Sequence, residues 1–142
     1  MLQGMHITPI GNRKILLEPG DSLDPDSPDD YVVELMNTLH TESTDTLIYD
    51  LKKVPLIDEV YYAWLVRLNK LCGLSNINMV IVNIRTTAAF SLATSMKEPP
   101  PFKCSLDVES ARQGIFVDFH KAKKDGADKA ASSRHRDARL PE

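Results

Sequence analysis

Residues 46–73 read TLIYDLKKVPLIDEVYYAWLVRLNKLCG, a stretch of one strand, one loop and one helix in succession. It opens with Leu47-Ile48-Tyr49 closed by Asp50, which has the length and the β-branched or aromatic content of a buried strand. Lys52-Lys53 make a basic turn, Val54-Pro55-Leu56-Ile57 continue it, and Asp58-Glu59 open a helix. The helix carries Val60, Tyr61, Trp64, Leu65, Leu68, Leu71 and Cys72 at three- and four-residue spacing, an apolar stripe that Gly73 is expected to stop. The unit is strand, loop, helix, with two carboxylates in the first turn of the helix.

Upstream, residues 5–9 and 13–18 read as two strands joined at Gly11-Asn12, a pair suited to the positive φ of a tight hairpin. Pro9 places the first of them on a sheet edge, where a missing N–H donor is tolerated. The loop at residues 20–26 is acidic but lacks the central glycine and distal glutamate of a calcium loop, so it reads as solvated. Ser27-Pro28-Asp29-Asp30 then start a helix with a cap, a proline and two acids, and Val32, Leu35, Met36 and Leu39 form its inward face. His40 near its end suits the negative pole of the helix dipole.

Downstream, residues 77–83 are a continuous apolar run, the pattern of a strand covered on both faces. Arg85-Thr86-Thr87 cap a short helix expected to turn Ala89, Phe90, Ala93 and Met96 inward. Pro99-Pro100-Pro101 form a stiff connector. Phe102-Lys103-Cys104 make a short strand, and residues 105–107 cap a last helix with Val108, Ala111, Ile115 and Phe119 expected inward. Strands alternating with helices give a mostly parallel sheet flanked by helices. The expected fold class is α/β, with about five strands and four helices in the order ββαβαβαβα.

This order, with Asp50 at a strand end, Ile57-Asp58 at a helix start and a closing helix at residues 106–111, resembles the STAS domain family of anti-sigma-factor antagonists and sulfate-transporter tails. The resemblance covers roughly residues 5–119. Bacterial members place Ile-Asp-Ser at the helix start, where the serine or a threonine is phosphorylated by a partner kinase. Here the aspartate matches, and Glu59 stands where the hydroxyl would be. The triple proline also departs from the glycine-containing turn usual before the last strand.

At 142 residues the chain is one domain's worth. Residues 1–120 are expected to form the STAS-like domain and residues 121–142 a charged, disordered tail, since the tail has few apolar anchors to offset its ordering entropy. Through residue 120 ten lysines and arginines face sixteen acids, whereas residues 121–142 carry seven against four. The acidic body argues against nucleic acid as a partner. No segment approaches the roughly 18 apolar residues of a membrane span and no signal-like start is present, so a cytoplasmic protein without membrane insertion is expected. Cys72 and Cys104 have no metal-ligand spacing and read as buried thiols.

Catalytic signatures are absent: there is no phosphate-binding glycine loop, nucleophile elbow or paired cysteines. Asp58 and Glu59 are adjacent on a helix and point about 100° apart, which does not converge them on one substrate atom. No catalytic residue, metal or cofactor is expected. With Trp64, Leu65 and Leu68 inward, Tyr62, Ala63, Val66 and Asn69 are expected outward, an apolar strip beside the helix start. The resemblance implies a regulatory module that binds a serine kinase acting as anti-sigma factor, or a stress-signalling scaffold STAS protein. Its switch position would be Asp58 and Glu59, and its partner-binding residues Val60, Tyr62, Ala63, Val66, Thr86 and Thr87; homo-oligomerisation stays open. Alternative readings are a STAS subunit of a membrane-transporter ATPase and a small α/β enzyme.

Overall fold

The computed structural model describes residues 4–20, 23–24, 26, 29–95, 98 and 100–117. Among these, the elements run β1 (Met5–Gly11), β2 (Lys14–Pro19), α1 (Asp29–Thr41), β3 (Thr46–Asp50), α2 (Glu59–Leu74), β4 (Asn78–Val82), α3 (Thr86–Ser95), β5 (Lys103–Ser105) and α4 (Val108–Arg112). The order is the expected ββαβαβαβα. The five strands lie in the sheet order β1-β2-β3-β4-β5, with β1 antiparallel to β2 and every other pair parallel. Gly11, Asn12 and Arg13 take φ of 86°, 54° and 61° at the hairpin, and a register irregularity follows Pro9 on the edge strand.

Alternation along the strands divides the core into two layers. Ile15, Leu17, Leu47, Tyr49, Met79 and Ile81 face α1, α2 and α3, while Ile48, Val80 and Val82 face the other way, toward Ala111 of α4. Both faces of β3 and β4 are therefore covered, which is why their sequences are apolar without a break. Helix α2 buries Trp64, Leu65, Leu68 and Cys72, and Trp64 meets the ring of Tyr31 edge-on at 5.4 Å. Val60, first in that apolar stripe and also assigned to the partner face, is 43% exposed. The helix also runs through Gly73 to Leu74. It ends because Ser75 N–H closes onto the carbonyls of Leu71 and Cys72 and Asn76 takes φ 63°, which swings the buried Ile77 toward β4.

Two helix faces differ from the sequence expectation. In α3 the buried residues are Ala88 and Leu92, whereas Ala89 and Ala93 are exposed and Phe90 is 72% exposed. Hydrogen bonds set this phase: Thr87 Oγ1 donates to the Pro55 carbonyl at 2.6 Å, and Ile57 N–H donates to Ser91 Oγ at 3.0 Å. With residues 87 and 91 held against the loop, the next positions around the helix, 88 and 92, turn to the core. Helix α4 is only five residues long. Asp107 caps it, its carboxyl held below the ordinary value by the Ser110 backbone N–H. Gly114 at φ 74° then ends it, so Ile115 leaves the helical stripe and is exposed. Residues 115–117 instead lie along the outer side of β5, where Val117 N–H donates to the Cys104 carbonyl and Ser105 Oγ donates to that of Ile115.

In the connector before β5, Pro100 is buried and Pro101 exposed. The expected cap at Ser27-Pro28, the inward places of Met96 and Phe119, Pro99 and the tail at 121–142 lie outside the described residues. Cys72 and Cys104 are both buried and unpaired, and burial pushes each thiol up to about 12 from 9.0. A raised thiol value stabilises the fold fully below about pH 9 and loses that contribution as pH climbs toward 12. Ellman's reagent at pH near 8 is therefore expected to leave both thiols untouched in the native protein and to titrate both once it is unfolded. Rapid labelling of native protein would contradict the buried placement.

Candidate functional site

The C-terminal edge of a parallel sheet is where open α/β sheets usually place their binding chemistry. Here that edge gathers Asp50, the loop of residues 51–58, Asn83 and the starts of α2 and α3. Asp50 ends the central strand and is 6% exposed. Its Oδ1 accepts the Lys52 backbone N–H at 2.8 Å and the Asn83 side-chain amide at 3.2 Å. A buried carboxylate with those partners acts as a knot between two strand ends and the loop. Leu51 N–H to the Val82 carbonyl and Val54 N–H to the Leu51 carbonyl tighten the same turn.

The loop returns to the core at Ile57, 1% exposed, which leaves Leu56 outward at 62%. Asp58 then takes extended backbone angles and caps α2, its Oδ1 accepting Tyr61 N–H at 2.8 Å. Caps of this kind contribute about 1 kcal/mol. Glu59 is the first helical residue, where its charge meets the positive pole of the dipole. Both acids are exposed.

Beneath them lies an arrangement that residue patterns did not announce. Tyr61, one turn into α2, shares a 2.8 Å hydrogen bond with the hydroxyl of the fully buried Tyr49, which also accepts Trp64 Nε1–H at 3.0 Å. Burial raises Tyr49 well above its usual value and Tyr61 to about 12. The phenols stay neutral at ordinary pH and act as struts from the central strand to the helix start. Tyr61 is thus held by its backbone through Asp58 and by its ring hydroxyl through Tyr49.

The partner-face residues separate into two groups. Val60, Ala63 and Thr86 are exposed; Thr87 is exposed but its hydroxyl is engaged by Pro55. Tyr62 and Val66 do not form a free outer strip. Both pack partly against the core, and Tyr62 meets Phe102 edge-on at 6.0 Å. The connector before β5 brings Phe102 across this side of α2, an arrangement that helix periodicity alone does not reveal. The exposed apolar residues at this edge are Leu56 and Val60, with Phe90 on α3, and the Thr87–Pro55 and Ser91–Ile57 bonds fix the two helices on one platform. Leu56 escaped notice because it was read only as part of the turn, and Phe90 because it was assigned to the inward face of α3.

Among the described residues, no group of three or more His, Cys, Asp or Glu side chains is placed to hold a metal ion, and no helix is long and apolar enough to cross a membrane. The arrangement can present charge and apolar surface on a rigid frame.

No family model matches the sequence and no curated protein matches it. Solved structures do. A serine-to-glutamate variant of RsbS from Moorella thermoacetica superposes with a TM-score of 0.66 at 16% identity, over 77% of this chain and 94% of that one. A chain from a structure described as the molecular architecture of the stressosome, a signal integration and transduction hub, gives 0.65 at 14%, over 78% and 95%. The protein TM1081, solved by NMR, gives 0.63 at 14%, over 75% and 85%. At these identities the likeness is one of fold, and the fold of this chain is that of the STAS domain.

Proposed function

From a STAS fold whose α2 opens on an exposed glutamate, we propose that this chain is a non-catalytic regulatory module that docks a protein partner across the start of α2 and the outer face of α3. Asp58 and Glu59 supply the charge; Leu56, Val60, Ala63, Thr86 and Phe90 supply the contact surface, with Tyr62 and Val66 bracing it from below. The observation that carries the reading is Glu59 at the first position of α2, exposed and one residue past the Asp58 cap. In the family that the sequence resembles, this is the place of the phosphorylated hydroxyl. The RsbS variant supports the compatibility of a serine-to-glutamate change with this fold. The stressosome structure, described as a signal integration and transduction hub, supports protein partners in an assembly of several chains, and the family that the sequence resembles points to a serine kinase acting as anti-sigma factor or a scaffold STAS protein as the partner.

A phosphoryl group brings about −1.5 to −2 charges and three acceptor oxygens. Glutamate brings one charge in a planar group, so the module sits in a fixed, partly phosphorylated-like state. Position 59 is no kinase substrate, and Thr86, exposed at the start of α3, is the neighbouring hydroxyl that could take that role. Titration calorimetry against a scaffold STAS protein or a serine kinase of the anti-sigma-factor type tests the proposal. Glu59→Ser is expected to change affinity fivefold to tenfold, about 1 kcal/mol, as befits a charge at an exposed rim. Phe90→Ala is expected to weaken binding more, because binding energy concentrates in aromatic side chains that lose their water. Unchanged affinity in both variants would remove this face from the interface.

A further inference from the structure

A groove of about 340 Å³ opens between the free edge strand β1 and helix α1, on the opposite side of the sheet from β5. Its floor is apolar, formed by Met5, Ile7 and Ile15. Its wall carries Glu34 and Thr38 of α1 and Glu42 just past the helix end, spaced four residues apart so that they line one stripe. A slot with an apolar floor and an acidic wall suits long cationic side chains, whose methylene stems cover apolar surface while their heads reach carboxylates. We propose that this groove is the docking site of the chain's own C-terminal segment, residues 121–139.

Charge and length both select that occupant. Residues 121–142 hold seven lysines and arginines against four acids, in a chain whose first 120 residues hold ten against sixteen. The segment is a basic terminal stretch carried on the same polypeptide as an acidic body. Val117, the last described residue, lies against β5. The groove is five strand spacings away, roughly 24 Å across the sheet. Arg134 is 17 residues further along the chain, and that much chain extends to about 58 Å at most. Residues 134–139, with Arg134, Arg136 and Arg139, therefore reach the β1 side with length to spare. Covalent attachment keeps such a segment at high effective concentration, so contacts too weak to hold a separate peptide suffice.

Because Cys72 and Cys104 are buried, a Ser133→Cys substitution in the full chain gives one reactive thiol for a nitroxide spin label. Nuclear relaxation measured on the labelled protein is expected to broaden the amides of Met5, His6, Thr38 and Glu42 severalfold more than those of α3. The excess should vanish in Glu42→Lys, an exposed position that leaves the core intact, and in salt of about 0.5 M, where charges are screened beyond roughly 4 Å. A 1:1 mixture of isotope-labelled chain without the nitroxide and unlabelled chain with it should show none of it. Broadening as strong on α3 as on β1, broadening indifferent to Glu42→Lys, or broadening that survives in the mixture and so comes from a second copy would each overturn the proposal. None of these results depends on the partner face at the start of α2.

Discussion

Trp64→Ala is expected to destabilise the domain by about 3–5 kcal/mol, the usual cost of deleting a large buried aromatic side chain. For a domain of this size that corresponds to a fall in melting temperature on the order of 15 °C. The change removes the ring that packs on Tyr31 and the N–H that the Tyr49 hydroxyl accepts, while Tyr61 stays bonded to Tyr49. Tyr61→Phe, by contrast, leaves the packing and removes the strut, with an expected cost of about 1 kcal/mol. Thermal denaturation followed by circular dichroism separates the two. A Trp64→Ala protein that melts within a few degrees of the parent would mean that α2 does not rest on the sheet through this ring.

Leu92→Ala and Phe90→Ala are expected to differ sharply despite lying two residues apart on α3. Leu92 is 3% exposed, so its truncation opens a cavity at a cost of about 2–5 kcal/mol. Phe90 is 72% exposed, and its loss is expected to stay within about 0.5 kcal/mol. Urea titration gives both numbers. The reverse order, with Phe90 the costly one, would restore the face expected from the sequence and remove Phe90 from the docking surface.

That contrast also shows where sequence reading reaches its limit. The strands at Leu47-Ile48-Tyr49 and at residues 78–82 were legible because burial on both faces leaves no polar position, a signal carried by the run itself. The hairpin was legible because Gly11 and Asn12 name their own backbone geometry, and the start of α2 because a cap and a first-turn acid are local chemistry. The face of α3 was not. Its sequence, TTAAFSLATS, is small or apolar at nearly every turn, so no period stands out. The phase comes from Thr87 and Ser91 bonding to Pro55 and Ile57, residues more than thirty positions away. The end of α4 misled for the opposite reason, since Ile115 keeps the apolar period after Gly114 has already turned the chain. At the candidate site, Asp58 and Glu59 could be picked out one by one. The platform around them, Tyr49 under Tyr61 and α3 beside Leu56, exists only once the strands are paired.

The short course of residues 115–117 along β5 bears on how this protein behaves when crowded. An open strand edge is a template on which another chain can grow, and natural sheets guard against that growth. This one guards both rims by different means. At β5 the chain's own backbone occupies the Cys104 carbonyl, and at β1 Pro9 withholds a donor and the irregular register beside it breaks the straight run of partners. Each rim so guarded offers a neighbouring strand fewer partners on which to extend the sheet.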